Sequence, residues 1–118
     1  MKRIMLIEDE VSILEATQIA LEMYDFEVLA IADANNIFDQ IESFQPEIIL
    51  MDYNMGHHNG RKICDQIKSN PANAKIKVLL FTAAVTDDTE FKNPLFSNFD
   101  GYVAKPYSIE DLVEKVSR

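Results

Sequence analysis

The chain is poor in the residues and patterns that mark several protein classes. It has a single cysteine, Cys64, so an internal disulfide is impossible and a reducing compartment is tolerated. Lying close to Ile63 and Ile67, Cys64 reads as core. No stretch approaches the roughly 18 uninterrupted apolar residues of a membrane span, and the first apolar run, in MKRIMLIEDE, meets acid at Glu8 and does not read as a secretion signal. No membrane association and a cytoplasmic address are the expectation. Glycine and proline are scarce, at 3 and 4 residues, and no linker, repeat or low-complexity tract interrupts the 118 residues. One domain spanning 1–118 follows. Basic residues are also few, 11 against 20 acidic, for a net charge of -9. Nucleic-acid backbones demand a basic surface, so direct nucleic-acid binding is not expected, and the partners are proteins or cations.

What the chain does have is alternation. Strand-length apolar runs occur at Arg3 to Ile7, Phe26 to Ile31, Glu47 to Met51, Lys77 to Thr82 and Gly101 to Ala104. Several are apolar at nearly every position, the pattern of strands buried on both faces. Between them, helical spacing joins Val11, Leu14 and Leu21, then Ile37, Ile41 and Phe44, then Ile63 and Ile67, and finally Ile109, Leu112, Val113 and Val116. The connection from Asp87 to Asn98 contains Pro94 and few strong helix formers, which predicts a short or broken helix. Alternating strands and helices with right-handed crossovers predict an α/β fold, a doubly wound parallel sheet of five strands with helices on both faces. Periodicity leaves the strand order open; the simplest is 2-1-3-4-5. Such sheets bind ligands outside the carboxyl ends of their strands.

Those ends carry concentrated chemistry. The first strand runs into Glu8, Asp9 and Glu10, the third ends at Asp52, the fourth at Thr82 and the fifth at Lys105. Three carboxylates in one crevice raise one another's pKa unless a cation sits among them. Oxygen ligands in a small crevice point to Mg²⁺, which takes one or two carboxylates, waters and a phosphate oxygen. Asp52, placed by the buried run IILM, can attack phosphorus to form an aspartyl phosphate, with Lys105 supplying charge and Thr82 a hydroxyl. Taken singly, each residue has an ordinary role: Asp9 as a helix cap, Asp52 as a turn residue, Thr82 bonding its own backbone, Lys105 as solvated surface. Their joint arrival at one end of successive strands favours the site.

With Glu8 and Asp9, Asp52 in LMDYNM, Thr82 in LLFTA and Lys105 in YVAKPY, the sequence resembles the receiver domains of bacterial two-component response regulators, from Lys2 to Val116. The resemblance implies a flavodoxin-like sheet in the order 2-1-3-4-5 and a phosphorelay function with Asp52 as phosphoacceptor. Asp9 and Asp52 would ligate Mg²⁺ directly, Glu8 through water, and the backbone carbonyl of Asn54 would complete the set. It also implies a cis bond between Lys105 and Pro106, and a switch in which Thr82 moves toward the phosphoryl group and Tyr102 swings inward; Ala83, next to Thr82, is small enough to leave the crevice open. That switch would alter the face of the fourth helix, fifth strand and fifth helix. The expected partners are a sensor histidine kinase or phosphotransfer protein on one side, and a downstream protein, an output domain or a phosphorylation-dependent dimer on the other. Such a domain is not an enzyme beyond assisting its own phosphorylation and dephosphorylation.

One stretch departs from the family. Gly56, His57 and His58 follow Met55 where the family usually has proline, which predicts a more mobile loop. The two histidines lack cysteines nearby or helical i, i+4 spacing, so an exposed polar loop is favoured over a transition-metal site. Gly60 reads as a loop-ending glycine that frees the backbone before the third helix. Two rival activities fit less well. A phosphatase of the haloacid dehalogenase type carries its nucleophile in an acid-x-acid motif after the first strand, whereas Glu8, Asp9 and Glu10 are contiguous. A flavodoxin-like redox module needs a hydroxyl- and glycine-rich phosphate loop there, and acids would repel the flavin phosphate. A third alternative keeps the receiver fold as a binding module without phosphorylation; the full set of site residues argues against it.

Overall fold

The computed structural model describes residues 2–55, 58–83, 87–105 and 107–118, with only the backbone of Asn54 and Met55. Five parallel strands, β1 (Arg3–Ile7), β2 (Glu27–Ile31), β3 (Ile48–Met51), β4 (Lys77–Thr82) and β5 (Gly101–Ala104), form one sheet in the order β2-β1-β3-β4-β5. This is the doubly wound order expected. The helices are α1 (Val11–Glu22), α2 (Ile37–Phe44), α3 (Gly60–Ser69), α4 (Asp88–Phe91) and α5 (Ile109–Ser117).

Side chains alternate across a strand, and here the alternation divides the core in two. Met5, Ile7, Ile49, Met51, Val78 and Leu80 face Ile37 and Ile41 of α2 and Ile63, Cys64 and Ile67 of α3. Ile4, Leu6, Ile48, Leu50, Leu79, Phe81 and Val103 face Leu14 and Leu21 of α1 and Leu112 and Val116 of α5. The central strands therefore bury both faces and carry little but aliphatic residues. β2 has a similar composition yet stays partly exposed, because its place at the sheet edge leaves one side uncovered. Phe26 and Glu47, read as strand residues, lie just outside. The Phe26 N–H turns back to the Leu21 carbonyl at 3.3 Å, closing the turn at Asp25, whose φ is 67°.

Helix ends follow local chemistry. The Asn59 side chain accepts from the N–H groups of Arg61 and Lys62 at the start of α3, and Ser108 accepts from Asp111 N–H at the start of α5. Gln45, left-handed at φ 52°, ends α2. The weak fourth connection is a four-residue α4 capped by Asp87, followed by a 3-10 turn at Pro94–Phe96. Proline offers no N–H to continue the helix. Among the described residues, no helix is long and apolar enough to cross a membrane.

Candidate functional site

The ladders of the sheet run one residue past their strands, and this places the acids. The Glu8 N–H donates to Ile31 O and the Asp52 N–H to Ile7 O, each at 3.2 Å. Both backbones are thus held by neighbouring strands before their side chains turn into the crevice. Glu8, Asp9 and Asp52 each offer a carboxylate oxygen within 4.8 Å of the others. Glu8 is only 1% exposed, Asp52 is partly buried and Asp9 lies at the open side.

Among the described residues, one cation answers this charge. Lys105 Nζ donates to Glu8 Oε1 at 2.6 Å and stands 3.4 Å from Asp52 Oδ2. It also lies 4.7 Å from the centroid of the Phe81 ring, a cation–π contact. The other Glu8 oxygen, Oε2, is buried and receives no hydrogen bond from the described residues. Burial pushes the Glu8 carboxyl up to about 7; the neighbouring Asp52 carboxylate adds to the rise and Lys105 opposes it. Three clustered acids against one ammonium leave the crevice short of positive charge, and a buried oxygen without a donor offers a lone pair to a cation. The donor set is all oxygen, so it fits Mg²⁺.

Thr82 is buried at the end of β4, and its carbonyl accepts from Lys105 N–H at 3.0 Å. That bond carries the β4–β5 ladder to the lysine. Ala83 is exposed, on a cleft of about 550 Å³ shared with Lys105, Ser12 and Tyr107. Asn54 sits in a short antiparallel ladder, Asn54–Met55 against His58–Asn59, which folds the chain after Asp52 back toward α3. His58 is not a free loop side chain, since its Nε2 lies 2.9 Å from Asn35 Oδ1. His57 and the Lys105–Pro106 bond lie outside the described residues.

Gly60 has a different role from the one its position suggested. It is not in the left-handed region, so backbone freedom is not what it supplies. A Cβ there would run into the Asp52 carbonyl, and would lie at 3.0 and 3.1 Å from Tyr53 Cα and O. The Gly60 N–H donates to Tyr53 O at 2.7 Å. The residue is a glycine because α3 starts directly against the backbone that carries Asp52.

Tyr102, on the edge strand β5, is partly exposed and its hydroxyl donates to Asp88 Oδ1 at 2.9 Å. Desolvation, then that hydrogen bond and the surrounding acids, push its phenol up to about 12. Lys115 Nζ lies 4.0 Å from the ring centroid and donates to Tyr102 O at 2.9 Å. A row of rings leads from there back toward the crevice: Tyr102 to Phe91 at 5.0 Å, Phe91 to Phe96 at 6.2 Å and Phe96 to Tyr53 at 5.6 Å between centroids. Tyr53 is the residue after Asp52.

Sequence reasoning missed Thr17 and Tyr107, whose hydroxyls are 2.9 Å apart. Thr17 is fully buried on α1 between Leu14 and Leu21. A hydroxyl at an inward helical position was the available signal, since a buried polar side chain requires a partner.

A family profile described as "Response regulator receiver domain" matches residues 4–117. Among curated proteins, the chain is 25% identical over 116 residues to Protein RcaC of Microchaete diplosiphon, covering 98% of this chain and 18% of that protein. It is 27% identical over 115 residues to the phosphate regulon transcriptional regulatory protein PhoB of Pseudomonas aeruginosa, covering 98% and 50%. The chain thus spans half or less of the length of these relatives. Among solved structures, the chemotaxis response regulator CheY4 of Vibrio cholerae superposes with a TM-score of 0.85 at 20% identity, covering 100% of this chain and 98% of that one. The response regulator TrrA of Thermotoga maritima, solved in complex with Mg²⁺ and BeF, superposes with a TM-score of 0.85 at 23% identity, covering 99% and 97%.

Proposed function

The chain belongs to the response regulator receiver domain family, and from that premise we propose that it is a Mg²⁺-dependent phosphoacceptor switch. The observation that carries this reading is the meeting of Glu8, Asp9 and Asp52 within 4.8 Å, with Lys105 Nζ 3.4 Å from Asp52 Oδ2. Asp9 and Asp52 would hold Mg²⁺ directly, Glu8 through water, and the Asn54 carbonyl would add a further oxygen. When bound, the ion neutralises charge on the oxygens of the transferred phosphoryl group. That the Thermotoga relative was solved with Mg²⁺ and BeF supports the choice of ion.

The chain's own residues do the rest. An Asp52 carboxylate oxygen attacks the phosphorus of a phosphorylated histidine, protonated on its other ring nitrogen, on a sensor kinase or phosphotransfer protein; the O–P bond forms as the P–N bond breaks, and the imidazole leaves neutral, keeping that proton. Lys105 moves from Glu8 toward the new dianion, and the Thr82 hydroxyl hydrogen-bonds it. Catalysis by such a site is positioning and electrostatics, so the domain assists its own phosphorylation without turning over a substrate. The signal leaves through Tyr102 and the α4–β5–α5 face, to a partner protein or output domain. The acidic chain does not itself grip nucleic acid.

Intact-mass measurement after incubation with acetyl phosphate and Mg²⁺ tests the reading. One added phosphoryl group is expected, absent from Asp52→Ala and after chelation of Mg²⁺. Labelling that survives in Asp52→Ala, or sustained turnover of phosphate monoesters, would defeat it.

A further inference from the structure

A lysine ammonium rides on a flexible stem, and fixing it in one place costs rotamer entropy that the surroundings must offset. Lys105 nevertheless stands between Glu8 and Asp52, 15% exposed, with its Nζ over the Phe81 ring. Phe81 is fully buried. A second side chain rests against that ring: Tyr107, at 5.7 Å between centroids and tilted by 50°. The Tyr107 hydroxyl in turn lies 2.9 Å from Thr17 Oγ1, which belongs to α1, 90 residues earlier in the chain.

We propose that the Thr17–Tyr107 hydrogen bond is the positioning device for Lys105. The bond ties the connection between β5 and α5 to α1, and so sets Tyr107 against Phe81 and fixes the surface over which the lysine stem passes. This inference rests on the reading of Asp52 as phosphoacceptor, and it makes Thr17 and Tyr107 positioning residues for that reaction.

Two observations favour positioning over simple packing. The Tyr107 ring packs against the apolar cluster that holds Leu14, Phe81 and Leu112, and Thr17 is fully buried; a phenylalanine and a valine would fill the same volume without a hydroxyl pair to satisfy. A hydrogen bond between neutral groups contributes little net stability but fixes distance and direction. In addition, the outer side of Tyr107 faces the open cleft lined by Ser12, Ala16 and Ala83. Packing cannot hold the ring from that side, so the hydroxyl bond does. The neighbouring anchors are already in place: Lys105 N–H on Thr82 O before the connection, and the Ser108 cap after it.

The test measures acetyl phosphate labelling at saturating Mg²⁺ for Tyr107→Phe, Thr17→Val and Thr17→Ser, each also in a Lys105→Ala background, alongside the ¹⁵N resonance of the Lys105 ammonium. Tyr107→Phe and Thr17→Val are expected to slow labelling about fivefold, the size of one lost hydrogen bond. Their thermal midpoint and Mg²⁺ half-saturation should hold, and Thr17→Ser should restore the rate. In Lys105→Ala, Tyr107→Phe should have no further effect, since residues acting through one another are not additive. A rate for Tyr107→Phe within twofold of the parent overturns the proposal. So does equal slowing in the Lys105→Ala background, or slowing that merely tracks lost folded protein. If the unsubstituted protein accepts no phosphoryl group, the phosphoacceptor reading fails alone and the ammonium resonance decides: a shift in Tyr107→Phe supports positioning, and an unchanged resonance overturns it.

Discussion

Gly60 abuts Asp52 so closely that no side chain fits between the start of α3 and the backbone carrying that carboxylate. The obstruction is backbone, which cannot rotate aside as a flexible side chain would. Alanine at this position must therefore push either α3 or the Asp52 carbonyl. Overpacking of this kind costs about 1–3 kcal/mol. Gly60→Ala is expected to lower the denaturant midpoint by an amount in that range and to slow labelling of Asp52 together with it. A midpoint within about 0.5 kcal/mol of the parent, the usual scatter of neutral substitutions, would show that the loop yields freely.

The acidic cluster predicts a stability response to Mg²⁺. At a free concentration of about 100 Kd, binding to the folded state alone adds about 2.7 kcal/mol, a rise in thermal midpoint on the order of 10 °C for a domain of this size. Differential scanning calorimetry with Mg²⁺ and then excess chelator should show the rise and its reversal. Asp9 lies at the open side, so Asp9→Asn should fold normally and lose most of the response. An undiminished rise in that variant would remove Asp9 from the ligand set.

Tyr102 is tied outward by Asp88, and the tie should be visible in its titration. Its phenol is raised, to about 12, by desolvation and then by the Asp88 hydrogen bond. A raised acid holds its proton longer when folded, so its contribution is complete below pH 10 and is lost as pH rises through 12. The tyrosinate absorbance difference between the parent and Tyr102→Phe should report that ionisation, and Asp88→Ala should move it down toward 10. If Asp88→Ala leaves it in place, the hydrogen bond is not holding the ring. The same tie predicts the switch: beryllofluoride should change amide exchange across residues 87–107, and changes confined to loops touching the ligand would argue against coupling.

Cys64 is fully buried and its thiol donates to Asn98 O at 3.4 Å. Burial pushes the thiol up to about 12 from 9.0. The thiolate is the reactive form, so a disulfide reagent at pH 8 should leave the native protein untouched and modify one thiol per chain in denaturant. The sign for stability follows: the buried neutral thiol contributes fully below pH 9, and its contribution is lost as pH rises toward 12. Rapid modification of native protein would place Cys64 outside the core.

The individual parts of the site were legible because local pattern and strand ends coincide. Glu8, Asp52, Thr82 and Lys105 each follow or close a run whose length and apolar content define a strand, and in a parallel sheet every strand end points the same way. The broken fourth helix was legible for a similar reason, since Pro94 acts on its own neighbours. Gly60 was misread because a glycine that provides freedom and one that permits close approach look identical in a sequence. The His58–Asn35 contact is not legible in the sequence because its partners lie 23 residues apart.

By itself, then, the amino-acid sequence determined the element types, the two-sided core of the central strands and the residues delivered to the carboxyl ends. These depend on side-chain period and on interactions within a few residues. Only the tertiary structure decided which residues meet. Lys105 reaches Glu8 across 97 positions because β5 stands beside β4 and β4 beside β3, so that one crevice collects the ends of distant strands. Thr17 finds Tyr107 because α1 and α5 share a face of the sheet. Strand order sets both meetings, and strand order is a property of long-range pairing that no local pattern encodes.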